Sequence, residues 1–197
     1  MQNITIFPGI PTDQRRTAAA LYWQAFGAKL GRVMGPDARA RAFFEASMGS
    51  EFALSALGAD GTLLGIAGFK TAGGSLTVGT MRGLADVYGW FGALWRGLLL
   101  SLLERDLAPD VLLMDGICVA AEARGQGVGS ALLEAIIAEA RQRRLASVRL
   151  DVIDSNPRAR ALYERKGFDA RSTTHLGPLK WLFGFDHATE MHRSIGD

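Results

Sequence analysis

Arg124-Gly125-Gln126-Gly127-Val128-Gly129 is the segment whose residue types and spacing best suit chemistry, because glycine occupies every second position. Without Cβ atoms the backbone can turn several N–H groups toward one point. A helix that starts directly after such a turn adds unpaired N–H donors and the positive end of its dipole. Together they suit a phosphate or diphosphate, although an ordinary tight turn uses the same glycines. Two phosphate loops do not fit the letters. A P-loop ends in Gly-Lys-Ser/Thr, and no lysine lies here. A dinucleotide fingerprint needs Gly-x-Gly-x-x-Gly/Ala, but the sixth residue is Ser130 counting from Gly125 and Leu132 counting from Gly127. Asp151 alone sits at the distance such a fingerprint would want for its acidic partner.

The surrounding elements must position this turn. Val111–Val119 is apolar on both faces apart from Asp115, as in a central buried strand. Residues 128–143 place Leu132, Leu133, Ile136, Ile137 and Ala140 on one helical stripe. A strand over Ser147–Ile153 follows, and then Asn156-Pro157 opens a helix, with Asn as N-cap and Gly167 as its stop. Upstream, the pattern predicts a strand at Ile4–Phe7, helices at 13–28 and Asp37–Met48, and strands at Phe52–Leu57 and Leu63–Phe69. The last two flank Ala59-Asp60-Gly61, a hairpin signal. A glycine-rich loop, Thr71–Gly83, leads into an aromatic helix over Leu84–Glu104, and two more strands are expected near Phe168–Ser172 and Ala188–Ile195. This order predicts one α/β domain over 1–197, built around a mixed sheet.

Composition narrows the function classes. A net charge of +2, with no Lys/Arg block, argues against wholesale binding to nucleic acid or an anionic membrane. One cysteine, Cys118, excludes an internal disulfide framework and fits a reducing compartment. The N-terminus has no secretory pattern, and the most apolar segment, Tyr88–Leu103, is interrupted by Arg96. A cytoplasmic protein is expected.

Arg124-x-x-Gly127-x-Gly129, after a strand and before a helix, resembles the Arg/Gln-x-x-Gly-x-Gly/Ala signature of the GCN5-related N-acetyltransferase (GNAT) family. Roughly thirty residues on, Asn156-Pro-Arg-Ala159-Arg-Ala-Leu162-Tyr163-Glu-Arg-Lys-Gly167-Phe168 resembles that family's second block, Asn-x-x-Ala-x-x-Leu-Tyr-x-x-x-Gly-Phe. The resemblance is motif-level over 111–168 and only architectural before Lys70 and after Phe168. It implies a mainly antiparallel central sheet flanked by helices and splayed where acyl-CoA binds. It also implies acetyl-CoA as cosubstrate, an amine acceptor and no metal. The amides of Arg124, Gly125, Gln126, Gly127, Val128 and Gly129, with Ser130, would cradle the CoA diphosphate. Main chain of Ile117 and Val119 would pair with the pantetheine arm, while the Cys118 side chain packs away from it as a small hydrophobe. Asn156 and Tyr163 would hold the thiol end.

Direct transfer to an amine poses two proton problems. A Lys-like amine, of pKa about 10.4, must lose a proton, and a thiolate leaving group, near 8.5, benefits from gaining one. Strand N–H groups could polarise the thioester carbonyl. Tyr163 is the candidate acid, against a packing role with its hydroxyl on backbone. Asp115 is the candidate base, against a structural carboxylate bonded to loop N–H groups. Glu122 is read as a solvated or loop-bracing residue. His175, His187 and His192 show no metal spacing and are read as surface or packing residues. The long stretch Thr71–Pro109 departs from the family's short connection. Its Gly73, Gly74, Gly79 and Gly83 and its aromatics Tyr88, Trp90, Phe91 and Trp95 could line the acceptor site, form a lid or a homodimer face, or simply pack. Apolar residues through Leu98, Leu99 and Leu102 cover more than one narrow stripe of this helix. A second reading is a non-catalytic acyl-CoA sensor or interaction module. Small amine, antibiotic, amino acid, peptide N-terminus and protein lysine all remain open as acceptors.

Overall fold

The computed structural model describes residues 3–77, 80–101 and 107–196. Strand β1 (Thr5–Pro8) is followed by helices α1 (Arg15–Met34) and α2 (Asp37–Ser47). Strands β2 (Ala53–Leu57) and β3 (Leu63–Thr71) form the expected hairpin, in which Asp60 Oδ1 accepts the Thr62 N–H at 3.0 Å. The two-residue strand β4 (Gly74–Ser75) folds back on β3 and leads to α3 (Met81–Ser101). Then come β5 (Val111–Val119), α4 (Val128–Gln142), β6 (Ser147–Ile153) and α5 (Pro157–Arg165). Strand β7 (Asp169–His175), a four-residue helix α6 (Lys180–Phe183) and β8 (His187–Ser194) follow.

The strands form one sheet in the order β1-β2-β3-β5-β6-β8-β7, with β4 on β3. Only β5 and β6 run parallel, joined by the α4 crossover, so the sheet is mixed and mainly antiparallel, as expected. Helices cover both faces. A Cβ built on Gly65 would point at Val128 and Leu132 of α4, whereas one on Gly116 would meet Phe26 of α1. Gly116 pairs with Gly68, three residues along β3 from Gly65 and therefore on the opposite face. The core lies between these layers. Ile66 and Phe69 of β3, Leu112 and Met114 of β5, and Leu132, Leu133 and Ile136 of α4 are among its largest fully buried side chains, with Leu150 of β6 and Met191 of β8. Each stabilises the fold by about 1.5–3 kcal/mol before entropy is counted.

Three of the expected elements differ from their sequence-based limits by three residues or more, and the short β4 and α6 had no counterpart in the expectation. Helix α1 runs six residues past the expected end at 28, because Val33 and Met34 continue its apolar stripe into full burial. It stops where Pro36 removes the next donor. Helix α3 starts at Met81 rather than Leu84, with Thr80 Oγ1 accepting the Gly83 N–H at 3.0 Å, and it kinks at Gly89. Its expected end at Glu104, together with Leu102 and Gly79, lies outside the described residues. Strand β7 continues to His175, although all seven of its residues are exposed. An edge strand held by one neighbour needs no apolar alternation.

The approach of α4 to the sheet depends on Gly65. A Cβ there would stand 2.7 Å from the Cys118 carbonyl oxygen and 3.2 Å from Val128 and Leu132 side chains. Gly65→Ala is expected to destabilise the protein by about 1–3 kcal/mol in urea unfolding. An unchanged midpoint would show that the helix can shift at no cost.

Candidate active site

Strands β5 and β6 pair from Val111↔Ser147 to Met114↔Leu150 and then part. Beyond that point β5 stays with β3, and β6 stays with β8 as far as Ile153↔Ala188. The cause is local. Phe69 pairs with Met114 and Gly68 with Gly116, so Asp115 is an extra residue that bulges β5 away from its neighbour. The opening leads into a cavity of about 440 Å³. Leu113, Asp115, Gly116 and Ile117 line it from β5, and Asp151, Val152 and Ile153 from β6. Asn156, Ala159 and Tyr163 face it from the α5 side, and Tyr22, Phe26 and Leu84 from the helices. A second hollow, about 460 Å³ on the outer side of α1 and α2, includes none of the motif residues.

Helix α5 is positioned by its first residues. Asn156 Oδ1 accepts the Ala159 N–H at 3.2 Å, and Pro157 supplies the pre-set first turn. Tyr163 is thereby carried to the cavity wall, where it is 7% exposed, with its ring 6.1 Å from that of Phe168. Burial first, and then the neighbouring Cys118 thiol, push its phenol up to about 12. At neutral pH it is protonated and can act only as a donor of that proton.

The glycine turn joins β5 to α4. Gly125 and Gly127 adopt φ of +78° and +88°, and Gly127 caps α4 with no side-chain acceptor. Among the described residues, the N–H groups of Gly125, Gln126, Gly127, Val128, Gly129 and Ser130 donate to no protein acceptor. Six open donors at the start of a 15-residue helix fit a diphosphate. Arg124 Nε donates to the Val119 carbonyl at 3.2 Å, and Gln126 Nε2 to that of Glu122 at 2.7 Å, so both side chains brace the loop. Val128 is buried and anchors the helix. A Cβ on Gly129 would lie 3.7 Å from Leu162 and 3.9 Å from Val119, which places this turn beside the residue preceding Tyr163.

Thus Asp115, Ile117, Asn156 and Tyr163 meet at one cavity, whereas Val119 and residues 124–130 are not among its lining residues and approach it only through the contact of Gly129 with Leu162. Cys118 is 2% exposed and does not line the cavity. His192 contacts Glu190 at 2.8 Å. Lys70 and Asp151 line the cavity without having been singled out for it by sequence. The alternation of Arg149 and Asp151 against Val148, Leu150 and Val152 was the available signal that one face of β6 is polar. Helix α3 adds Met81, Leu84, Gly97, Leu100 and Ser101 to the wall. Its Tyr88 hydroxyl donates to the Met34 carbonyl, tying α3 to α1. On its outer side Trp90, Phe91, Leu94 and Leu98 face solvent, so this segment both walls the cavity and presents an apolar surface.

Residues 18–168 match the profile of the Acetyltransferase (GNAT) family, and the chain belongs to that family. Over 65 residues it is 46% identical to a 5-NmdU N-acetyltransferase of Pseudomonas phage PaMx11, a match covering 33% of this chain and 44% of the phage enzyme. The matched region is thus less than half of that relative's length. An N-acetyltransferase from Staphylococcus aureus Mu50 shares the fold with TM-score 0.66 at 13% identity, over 96% of this chain and 100% of that one. A GCN5-related N-acetyltransferase from Kribbella flavida does so with TM-score 0.64 at 19% identity, over 97% of each chain. No helix among the described residues is long and apolar enough to cross a membrane.

Proposed function

We propose that this protein transfers the acetyl group of acetyl-CoA to a primary amine. The observation that carries the reading is the parting of β5 from β6 at Met114 and Leu150, with Tyr163 on one wall and the carboxylates Asp115 and Asp151 on the others. Past Met114 the edge of β5 toward the cleft has no strand opposite it among the described residues. Main chain of Ile117 and Val119 there receives the pantetheine arm as an added strand. The amides of residues 124–130 take the diphosphate, and the Asn156 amide and Tyr163 hydroxyl face the thiol end.

Acetyl-CoA supplies an activated thioester. Asp115, with Asp151 across the gap, draws the acceptor in as an ammonium ion; a carboxylate takes one proton to free the nitrogen lone pair before attack, and the second leaves the nitrogen for solvent once the C–N bond has formed. As the C–S bond breaks, Tyr163 directs its hydroxyl proton at the sulfur. Strand N–H groups favour negative charge on the carbonyl oxygen. No step needs a metal ligand from the cavity wall.

Thiol release from acetyl-CoA, measured with and without a panel of primary amines, tests this reading. The panel includes 5-NmdU, after the phage relative. Amine-dependent release is expected, and Asp115→Asn should lower kcat by on the order of 100-fold. A folded protein that binds acetyl-CoA yet releases no thiol with any amine class would favour a sensor role instead.

A further inference from the structure

Outside the cavity, the β7–β8 hairpin brings together side chains that the acetyl-transfer reading does not use. His175 and His187 pair directly across it, with ring centroids 5.2 Å apart. His175 Nδ1 lies 3.5 Å and His187 Nδ1 3.6 Å from the same oxygen, Asp186 Oδ2. Asp154 Oδ2, at the exit of β6, stands 3.8 Å from His187 Nδ1. One donor atom from each of His175, Asp186 and His187 lies within 4.8 Å of the others.

Each of these gaps is longer than an N–H···O hydrogen bond of about 2.9 Å. The three histidine–carboxylate gaps, 3.5, 3.6 and 3.8 Å, lie a few tenths of an ångström above the edge of about 3.3–3.4 Å that a tetrahedron has when an ion sits 2.0–2.1 Å from its ligands. His187 Nδ1 is shielded from solvent and has no hydrogen-bond partner among the described residues. Main-chain hydrogen bonds hold the backbone beneath in place. Asp154 N–H donates to the His187 carbonyl at 3.1 Å, and Leu176 N–H to that of Asp186 at 2.9 Å. Asp154 Oδ1 accepts the Ser155 N–H at 2.9 Å, and its Oδ2 accepts the Asp186 N–H at 3.3 Å. The nearby cation, Lys180, approaches Asp186 through Oδ1 at 3.5 Å and leaves Oδ2 to the histidines.

The geometry points to a site for a divalent transition metal of the zinc class, held by His175, Asp186 and His187 and completed by Asp154. Two imidazoles and two carboxylates suit zinc and disfavour magnesium, which requires an octahedral oxygen shell. The role is structural, because none of the four residues lines the cavity. Their neighbours do: Phe185 and Ala188 flank the histidine end, and Asn156 follows Asp154 by two residues. A bound ion would therefore fasten the 176–186 connection, with Phe185, to the start of α5. The sequence showed no metal spacing because eleven residues separate the histidines, and only the hairpin register brings them face to face.

The site is independent of the acetyl-transfer reading and is tested without activity. Untagged, chelator-stripped protein is dialysed against Zn²⁺, and against Co²⁺ for its tetrahedral visible spectrum. One Zn²⁺ per chain is expected, with a higher thermal midpoint and no comparable effect of Mg²⁺. His175→Ala, at an exposed position that the fold does not need, should weaken Zn²⁺ binding at least about tenfold and abolish the thermal shift. Asp186→Asn should do the same, while His192→Ala should change neither. Absence of stoichiometric Zn²⁺, or binding indifferent to His175→Ala and Asp186→Asn, would overturn the site.

Discussion

Tyr163→Phe is expected to lower kcat for amine acetylation by about 100- to 1,000-fold while leaving acetyl-CoA affinity within a few-fold. The substitution removes one oxygen and keeps the ring that packs near Phe168, so a purely structural tyrosine would lose little. The phenol is pushed up to about 12, first by burial, well above a thiol near 8.5. Complete proton transfer to the departing sulfur is therefore uphill. The useful contribution is a hydrogen bond that strengthens as negative charge reaches the sulfur, and the released thiolate takes its proton from solvent. For the same reason, no alkaline limb of the pH–rate profile below roughly pH 11 belongs to Tyr163. Stability follows with a definite sign. The folded pKa, about 12, lies above the unfolded value near 10, so the benefit of the neutral phenol is full below pH 10 and fades as pH rises toward 12. Urea titrations at pH 9 and 10.5 should show that loss in the wild type and not in Tyr163→Phe. A variant within threefold of wild-type kcat would reduce Tyr163 to a packing residue.

Gly127→Glu should weaken acetyl-CoA binding by on the order of 100-fold, read by calorimetric titration. Two effects add. Gly127 sits at φ +88°, where a side chain costs about 1–2 kcal/mol. A carboxylate at the helix N-cap also faces the diphosphate, and each like-charge pair at about 5 Å costs roughly 1–3 kcal/mol at effective dielectric constants of 20 to 80. A Cβ there meets no protein atom within 4 Å, so crowding within the fold itself is not the cause. Gly127→Asn separates the terms, since asparagine tolerates left-handed backbone and carries no charge. It should keep affinity within about tenfold. Equal loss in both variants would place the effect in backbone strain, and no loss in either would remove the diphosphate from this turn.

Local chemistry was readable wherever a few adjacent residues determine the outcome. Asn156-Pro157 announces the cap and first turn of α5, and Asp60-Gly61 announces the hairpin. The glycine turn with its following helix, and the family resemblance it supports, are equally local, and the family match over 18–168 agrees. Features set by distant partners were not readable. The bulge at Asp115 takes its register from β3, which pairs Gly68 with Gly116 and Phe69 with Met114; Asp115-Gly116 inside the apolar strand hints at an irregularity but not at its register. Lys70 and Asp151 reach the cavity by strand order rather than by motif. The spacing of apolar residues suggests that α1 ends near 28, yet burial of Val33 and Met34 carries the helix to Met34. Strand β7 shows no periodicity because it lies at the sheet edge.

The placement of β8 between β6 and β7 sets an order for synthesis. Until residues 187–194 leave the ribosome, β6 keeps a bare edge and β7 has no partner at all. The nascent chain therefore passes through a stage in which Leu150 lacks its neighbour Met191 and the polar face of β6 is unsupported. That stage is open to edge-to-edge association with other chains. Arg149 and Glu190, 2.7 Å apart across the β6–β8 pair, make contact only when the late strand arrives. The Asp151 wall of the cavity is thus among the last parts to settle, and a chain released before β8 would carry the glycine turn without a finished cavity wall.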